Sequence, residues 1–286
     1  SYLKKDIKES NIFIITVPTP VTKKNKPDLS NLIDVSKLVA TSLKLGDTIV
    51  FESTVFPGCT DEIMVPIIEK YSKLKINEDF YVGYSPERID PGKSKYKLVN
   101  QNKIVSGSNK YALSLISKIY SKIIKKRLFK ADSIKIAEAA KIIENTQRDI
   151  NIAFINEIST LFGKLGINTS DVLKAAGTKW NFLNFKPGLV GGHCISVDPY
   201  YLQYKAEKSK HKVKIISSSR AINDSMPMYI FKQIKKYLSY IGKTLKKRKI
   251  LFLGISYKEN CGDFRNSKAI TLHDLLKREN KVDVFD

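Results

Sequence analysis

Apolar residues along this chain come in short unbroken runs, separated by turn residues and by longer stretches of helical period. The first run is Asn11 to Val17 (Asn-Ile-Phe-Ile-Ile-Thr-Val), and a run apolar at successive positions reads as a strand covered on both faces. Pro18-Thr19-Pro20 ends it, because proline cannot donate to a ladder. Pro27-Asp28-Leu29-Ser30 supplies turn and N-cap chemistry for a helix running to about Lys44, which Gly46-Asp47 stops. A second strand follows over Thr48 to Glu52, then a turn at Pro57-Gly58, a helix from about Thr60 and a strand over Phe80 to Tyr84. Another strand, Lys103 to Ser106, leads into a helix over about Lys110 to Ile123. Such alternation predicts an α/β fold built on a parallel sheet.

The texture then changes. From Asp132 to about Leu165 there is no proline, and glycine occurs only at Gly163; Asp132 or Ser133 can cap this segment and Gly166 can end it. A helix of that length is about 45 Å long, which suits a connector between two domains. Its apolar residues form more than one stripe (Ile136, Ala140 and Ile143; Ile150, Phe154 and Ile158), which predicts packing against a second copy in a homodimer. A loop rich in glycine and proline covers Ala176 to Pro199, and two helical segments cover about Tyr200 to Ile241. Lys249 to Gly254 opens a second α/β unit, with a helix near Ser267 to Lys277 and a strand at Val282 to Phe285. The expected domains are residues 1–131, 132–241 and 242–286. The chain starts and stops in mid-sheet, so both sheets are expected to be truncated.

Composition bounds the function classes. The chain has 286 residues, 42% hydrophobic and 27% charged, as expected for a globular protein. No apolar run approaches the ~20 residues that span a bilayer, so no membrane insertion is expected, and Ser1 to Asp6 are too polar for the apolar region of a signal peptide. Three widely spaced cysteines, Cys59, Cys194 and Cys261, form neither a disulfide framework nor a zinc site. No metal and a reducing cytoplasm are the expectations. The net charge of +22 comes mostly from scattered lysines, and its densest cluster, Lys243 to Lys249, contains no aromatic on which a base could stack. The charge therefore favours anionic ligands in general, with no nucleic-acid partner expected.

Several positions carry candidate chemistry, each with a plainer alternative. Cys194 follows Gly191-Gly192-His193; the glycines leave its sulfur accessible as a nucleophile toward a carbonyl carbon, unless it is a buried inert thiol. Lys141 and Asn145 lie four apart on the long helix, with Glu138 three before Lys141, so they share one face. They could serve a developing oxyanion, or be a solvated face with ordinary pairing. Ser85-Pro86-Glu87-Arg88 and Glu52-Ser53-Thr54-Val55 follow strand ends, where α/β sheets place ligands. Glu87 could activate water there, or sit in a turn with a surface ion pair. Gly254, Lys258 and Arg265 could hold phosphate or carboxylate oxygens before a helix. A full Gly-x-Gly-x-x-Gly fingerprint is absent, so these residues alone do not establish NAD binding.

Taken in order, the segments resemble the UDP-glucose/GDP-mannose dehydrogenase family. The resemblance rests on Val17-Pro18-Thr19-Pro20, Ser53-Thr54-Val55-x-Pro57-Gly58, Ser85-Pro86-Glu87-Arg88 and Glu138-Ala139-Ala140-Lys141-x-x-Glu144-Asn145-Thr146. It continues through Gly191-Gly192-His193-Cys194-x-x-x-Asp198-Pro199, then Leu253-Gly254-x-x-Tyr257-Lys258 with Asp263-x-Arg265-x-Ser267. The family implies two Rossmann-like domains joined by a long central helix and a helical dimerisation region. It implies Cys194 as the nucleophile that holds a C6 aldehyde as a thiohemiacetal and then a thioester, with Glu87 linked to water attack on that thioester. Lys141 and Asn145 would stabilise alkoxide and oxyanion, while Asp198 and Thr54 would position water and assist proton transfer. Thr19, Thr54 and Arg265 match positions that contact NAD; Lys258 matches one that contacts the nucleotide sugar, and Lys186 and Gly191 join Glu87, Lys141 and Asn145 as substrate contacts.

Two departures accompany the resemblance. The family's first strand and glycine-rich turn would precede Ser1, and the rest of the C-terminal nucleotide-binding domain would follow Asp286. These ends predict that the chain as given does not turn over alone. Where some UDP-glucose members carry a second acid after the Glu87 equivalent, this chain has Pro91. The segments around Cys194 and Gly177-Thr178-Lys179-Trp180-Asn181-Phe182 resemble the branch acting on UDP-N-acetylhexosamines in capsule and O-antigen synthesis, so UDP-N-acetylglucosamine or its galactosamine epimer is the expected substrate. The alternatives are UDP-glucose or UDP-N-acetylmannosamine as substrate, a hydroxyacid or 6-phosphogluconate type of dehydrogenase in which Cys194 is dispensable, a nucleic-acid binder, or an inactive remnant.

Overall fold

The computed structural model describes residues 7–89, 98–192, 195–257, 259 and 262–286. It divides into two compact units: residues 1–144 with 200–211, and residues 145–199 with 212–286.

Unit 1 is built on a five-stranded sheet in the order β1-β2-β3-β4-β5, with β1 at Ile12–Ile15, β2 at Thr48–Phe51, β3 at Tyr81–Tyr84, β4 at Lys103–Gly107 and β5 at Leu128–Lys130. β1, β2 and β3 run parallel, so the loops after all three leave one edge of the sheet. Helix α1 (Ser30–Ala40) joins the first two; its entry is fixed by Asp28, whose Oδ1 accepts from the Ser30 N–H and hydroxyl at 3.0 and 2.6 Å. A π-helical turn at Thr60–Met64 continues into α2 (Val65–Ser72). Pro66 has no N–H to donate to Glu62, which suits the wider turn. All four residues of β2 are buried, as the unbroken apolar run requires.

One expectation is corrected: the sheet is mixed, because β3 and β4 pair antiparallel through Gly83–Gly107 and Tyr84–Ser106. The described part of their connection carries only a 3-10 turn, Leu98–Asn100, whereas a parallel partner needs a long crossover. The reversal puts Lys103, the first residue of β4, at the same edge as the ends of β2 and β3. Helix α3 (Lys110–Ser121) returns the chain to the parallel strand β5, and Val50, Val105, Ile116, Tyr120 and Ile124 form the core beneath it.

Helix α4 (Ile134–Leu165) has 32 residues, close to the predicted span, and α5 (Thr169–Ala176) follows, capped by Asn168 Oδ1. After the irregular loop come α6 (Asp198–Lys208) and α7 (Lys214–Tyr240). In unit 2, β6 (Lys249–Leu253) and β7 (Lys281–Phe285) pair parallel around α8 (Lys268–Lys277), as expected of a second α/β unit. Leu245, Leu272 and Leu276 pack there with Ile230, Phe231 and Ile234 from α7.

Candidate active site

At the sheet edge of unit 1, the loops after β1 and β2 are tied together. Thr19 Oγ1 donates to the Thr54 carbonyl at 2.6 Å, and Ser53 Oγ donates to the Val17 carbonyl at 2.6 Å. Tyr201 of α6 donates to the Thr19 carbonyl at 2.7 Å and fixes the proline turn. Thr19 therefore spends its hydroxyl on the scaffold, while the half-buried Thr54 hydroxyl has no partner among the described residues.

The loop after β3 is held from several sides. Ser85 Oγ donates to the Ile104 carbonyl at 2.7 Å, and Lys103 Nζ donates to the Pro86 carbonyl at 3.1 Å. Lys103 is buried and pairs with Glu52 Oε1 at 2.9 Å, and Tyr120 donates its hydroxyl to the same carboxylate. Burial and the Glu52 charge push the Tyr120 phenol well above its ordinary range. Glu87 turns one oxygen back on its own loop: Oε1 accepts from the Arg88 and Ile89 N–H groups at 2.6 and 2.5 Å. Its Oε2 has no partner among the described residues. Arg88 joins this loop to α4, with Nη2 and Nε reaching the two Glu144 oxygens at 2.7 and 3.1 Å and Nη1 donating to the Asn102 carbonyl at 2.9 Å. The surface-ion-pair alternative fits Arg88, while Glu87 keeps a free oxygen.

On α4 the three polar residues that share a face have separate roles. Glu138 is fully buried and accepts from the Gly58 N–H at 2.5 Å, the Thr60 N–H at 2.9 Å and Thr60 Oγ1 at 2.7 Å. It clamps the turn at the start of the π-helix. Burial raises its pKa to about 7 against the opposing pull of those donors. Lys141 is only 8% exposed, yet it makes no hydrogen bond or ion pair with any described residue. That excludes the solvated-face reading for both. In unit 2, Asn145 Nδ2 donates to Asp198 Oδ2 at 2.6 Å, and Asp198 is buried at the first position of α6.

The remaining predicted positions separate further. Lys186 is exposed in the loop before Gly191. A Cβ on Gly191 would come within 2.9 Å of the Asn266 carbonyl oxygen, and Gly192, at φ +87°, would put one 2.8 Å from the Tyr257 ring. Gly191 is thus required by close packing on the start of α8, and Gly192 by its positive φ and its approach to the Tyr257 ring. Arg265 is exposed and forms a bidentate pair with Asp263, at 2.6 Å for its shortest contact. Cys194 and Lys258 lie outside the described residues. Cys59 is buried in unit 1, and burial with the Glu138 charge pushes its thiol far above the ordinary value, so it is no competing nucleophile. Among the described residues, no three His, Cys, Asp or Glu side chains cluster as a metal site, and no helix is long and apolar enough to cross a membrane.

Sequence reasoning missed the Glu52–Lys103–Tyr120 network and, in unit 2, two fully buried asparagines, Asn156 and Asn223. A lysine opening an apolar strand and an asparagine within an apolar helical stretch were the available signals.

The chain is similar to known proteins along nearly its whole length. Residues 1–124 match the NAD binding domain of the UDP-glucose/GDP-mannose dehydrogenase family, and residues 135–225 match its central domain. A UDP-N-acetyl-D-glucosamine 6-dehydrogenase of Salmonella typhi is 51% identical over 98% of this chain and 66% of its own length. One of Pseudomonas aeruginosa is 47% identical over 99% of this chain and 67% of its own. The solved UDP-D-ManNAc dehydrogenase of Pyrococcus horikoshii superposes with a TM-score of 0.91 at 34% identity, over 99% of this chain and 66% of that one. The chain thus spans about two-thirds of the length of the curated relatives it matches. On the two domain matches and the identity to these relatives, the chain belongs to the UDP-glucose/GDP-mannose dehydrogenase family.

Proposed function

We propose that the chain carries the chemical machinery of a UDP-N-acetylhexosamine 6-dehydrogenase, oxidising the C6 alcohol of UDP-N-acetylglucosamine or its galactosamine epimer to the carboxylate for surface polysaccharide synthesis. The observation that carries this reading is Lys141: a buried side chain whose ammonium has no protein partner among the described residues, four residues before Asn145. An ammonium that no protein group engages is open to an anionic ligand or to a developing negative charge. Support for the substrate comes from the names of the two relatives at 51% and 47% identity.

The parallel ends of β1 and β2, with their tied loops and the uncommitted Thr54 hydroxyl, fit the place where α/β sheets bind a dinucleotide. NAD bound there would accept a hydride in each of the two oxidations. Lys141 and Asn145 stabilise the C6 alkoxide as its proton leaves. The Cys194 thiol adds to the aldehyde carbon, forming a C–S bond while its proton moves to the former carbonyl oxygen. That keeps the aldehyde from escaping before the second oxidation makes a thioester. Glu87 and Asp198, with Thr54, position the water that breaks the C–S bond, and the thiol is restored with release of the carboxylate. Glu87 Oε2 is the oxygen left for this water, since Oε1 is committed to its own turn. The exposed apolar side chains of α4 support a homodimer: Ile136, Ile143, Phe154 and Leu161, each 46–58% exposed, fall on one stripe of the helix.

The test is to carry these residues in a chain of the relatives' full length and supply it with NAD and, separately, UDP-N-acetylglucosamine, UDP-N-acetylgalactosamine, UDP-N-acetylmannosamine and UDP-glucose. NADH absorbance and iodoacetamide labelling of Cys194 are then followed. The expected result is two NADH per N-acetylhexosamine nucleotide and slower labelling of Cys194 with substrate bound. No saturable sugar-nucleotide effect on either readout would refute the proposal.

A further inference from the structure

The loop between α5 and α6 has neither helix nor strand from Asn181 to Gly192, so its backbone groups need partners from elsewhere. Asn156, fully buried on α4, provides both kinds at one residue. The Gly188 N–H donates to Asn156 Oδ1 at 2.8 Å, and Asn156 Nδ2 donates to the Gly188 carbonyl at 3.0 Å. The same Nδ2 donates to Asn223 Oδ1 at 2.9 Å. Asn223, fully buried on α7, donates in turn to the Asp149 carbonyl at 3.0 Å and to Asp149 Oδ1 at 2.8 Å. Both Asp149 oxygens are acceptors only, so the Asn223 amide has one possible orientation, and this fixes Asn156 as well.

The network continues past Asp149. Arg220 Nη1 donates to Asp149 Oδ1 at 2.6 Å and Nη2 to Asp224 Oδ1 at 2.6 Å, and Lys268 Nζ lies 2.7 Å from the same Asp224 oxygen. Lys268 is the first residue of α8, where Gly191 packs. A continuous set of polar contacts within unit 2 therefore runs from Gly188 back to the seat of Gly191, with only Leu189 and Val190 between the two held points.

We propose that Asn156 and Asn223 are positioning residues that set the path of the loop from Phe185 to Gly191, and through it the affinity for the nucleotide sugar. This rests on reading that loop, with Lys186 and Gly191, as substrate-binding. Neither asparagine needs to touch the substrate. Asn156→Ala leaves two Gly188 backbone groups and Asn223 Oδ1 without a partner. Asn156→Asp keeps the acceptor for the Gly188 N–H but, when ionised, offers no hydrogen to the Gly188 carbonyl or to Asn223; protonation restores one.

The experiment uses the full chain. Hydrogen exchange by mass spectrometry reads the segment from Leu183 to Gly192, and calorimetry reads UDP-N-acetylglucosamine and NAD separately. Asn156→Ala is expected to speed exchange of that segment at least about tenfold and to weaken sugar-nucleotide binding about 10- to 100-fold, leaving NAD binding within about twofold. Asn156→Asp should bind weakly at about pH 8 and recover, relative to wild type, at about pH 5.5, which Asn156→Ala should not do. This recovery keeps the test decisive if the alanine variant folds poorly. Wild-type exchange and affinity in both variants would overturn the proposal, as would sugar-nucleotide and NAD binding falling in step. Absence of sugar-nucleotide binding by wild type would defeat the functional reading itself. Slow exchange of the segment in Asn156→Ala would defeat the clamp, whichever ligand binds.

Discussion

Glu138 offers a test in which sign and size both follow from the structure. Its carboxyl is fully buried, and burial is the largest influence on its pKa, raised from 4.5 to about 7. Between those two pH values the folded chain holds a proton that the unfolded chain releases. The contribution of Glu138 to stability is therefore fully present below about pH 4.5 and is lost as pH rises through about 7. The interval, 7 − 4.5, is about 2.5 units, which at about 1.4 kcal/mol per unit is about 3 kcal/mol. Glu138→Gln removes the titration and puts an N–H donor where Gly58 and Thr60 already supply three donors. The lost bond costs about 1–3 kcal/mol at any pH. Wild type should therefore exceed Glu138→Gln in stability most clearly near pH 5, and the gap should close by about 3 kcal/mol toward pH 8. Urea unfolding followed by far-ultraviolet circular dichroism measures the gap, and hydrogen exchange over residues 52–64 localises it. Parallel stability curves for the two proteins across this range would show that the Glu138 proton is not linked to folding.

Two further outcomes follow from polar groups of unit 1 and a third from the exposed stripe of α4. Lys141→Met should abolish NADH formation yet leave unfolding free energy within about 0.5 kcal/mol, because its ammonium has no described partner to lose; a larger loss of stability in the melting curve would mean that Lys141 has a structural partner. Lys103→Met leaves Glu52 buried without its cation and frees the Pro86 carbonyl, and should cost about 3–5 kcal/mol. Adding Glu52→Gln should recover part of that cost in the same denaturation assay, and additive losses would contradict the pairing. Phe154→Glu puts a charge into the exposed stripe of α4 and should convert a dimer to monomers by light scattering; a wild-type particle of 32.4 kDa would defeat the dimer proposal.

The strands buried on both faces were readable because an apolar run states burial directly, as in the four covered residues of β2. Direction was not readable. β4 is almost as buried as β2, but a buried strand looks the same in composition whichever way it runs. β5 escaped because it has three residues, of which Phe129 and Lys130 are exposed. Helix α5 carried a signal that went unused: Asn168-Thr169-Ser170-Asp171 is a cap sequence, and Asn168 does accept from the Ser170 and Asp171 N–H groups. Within the candidate site, the four-residue spacing of Lys141 and Asn145 was legible because it is local. The partners of Glu138 lie about 80 positions away in sequence, and those of Asn156 and Asn223 lie 32 to 74 away. No local pattern encodes them.

That difference separates scaffold from site on physical grounds. Glu138, Lys103, Asn156 and Asn223 are all buried and all engage specific partners, so each orders backbone that has no ladder of its own: the Gly58 turn, the Pro86 turn and the Gly188 loop. Such groups are expensive to bury and stable once satisfied. Lys141 is buried to nearly the same degree and is left without a described partner, and Thr54 and Glu87 each keep an oxygen uncommitted at the sheet edge. Thr48 Oγ1, Thr146 Oγ1 and Asp149 Oδ2 are also buried without a partner among the described residues, so an open group counts toward the site only where it coincides with a position to which the family's motifs assign a role. On the proposed function, an incoming anionic substrate or the negative charge that develops at C6 would complete the Lys141 ammonium. By this argument satisfied polar residues should respond to mutation mainly in stability or loop order, and the open ones mainly in turnover. The different stability effects expected of Lys103→Met and Lys141→Met, a large loss and a small change in one unit, put that division to direct measurement.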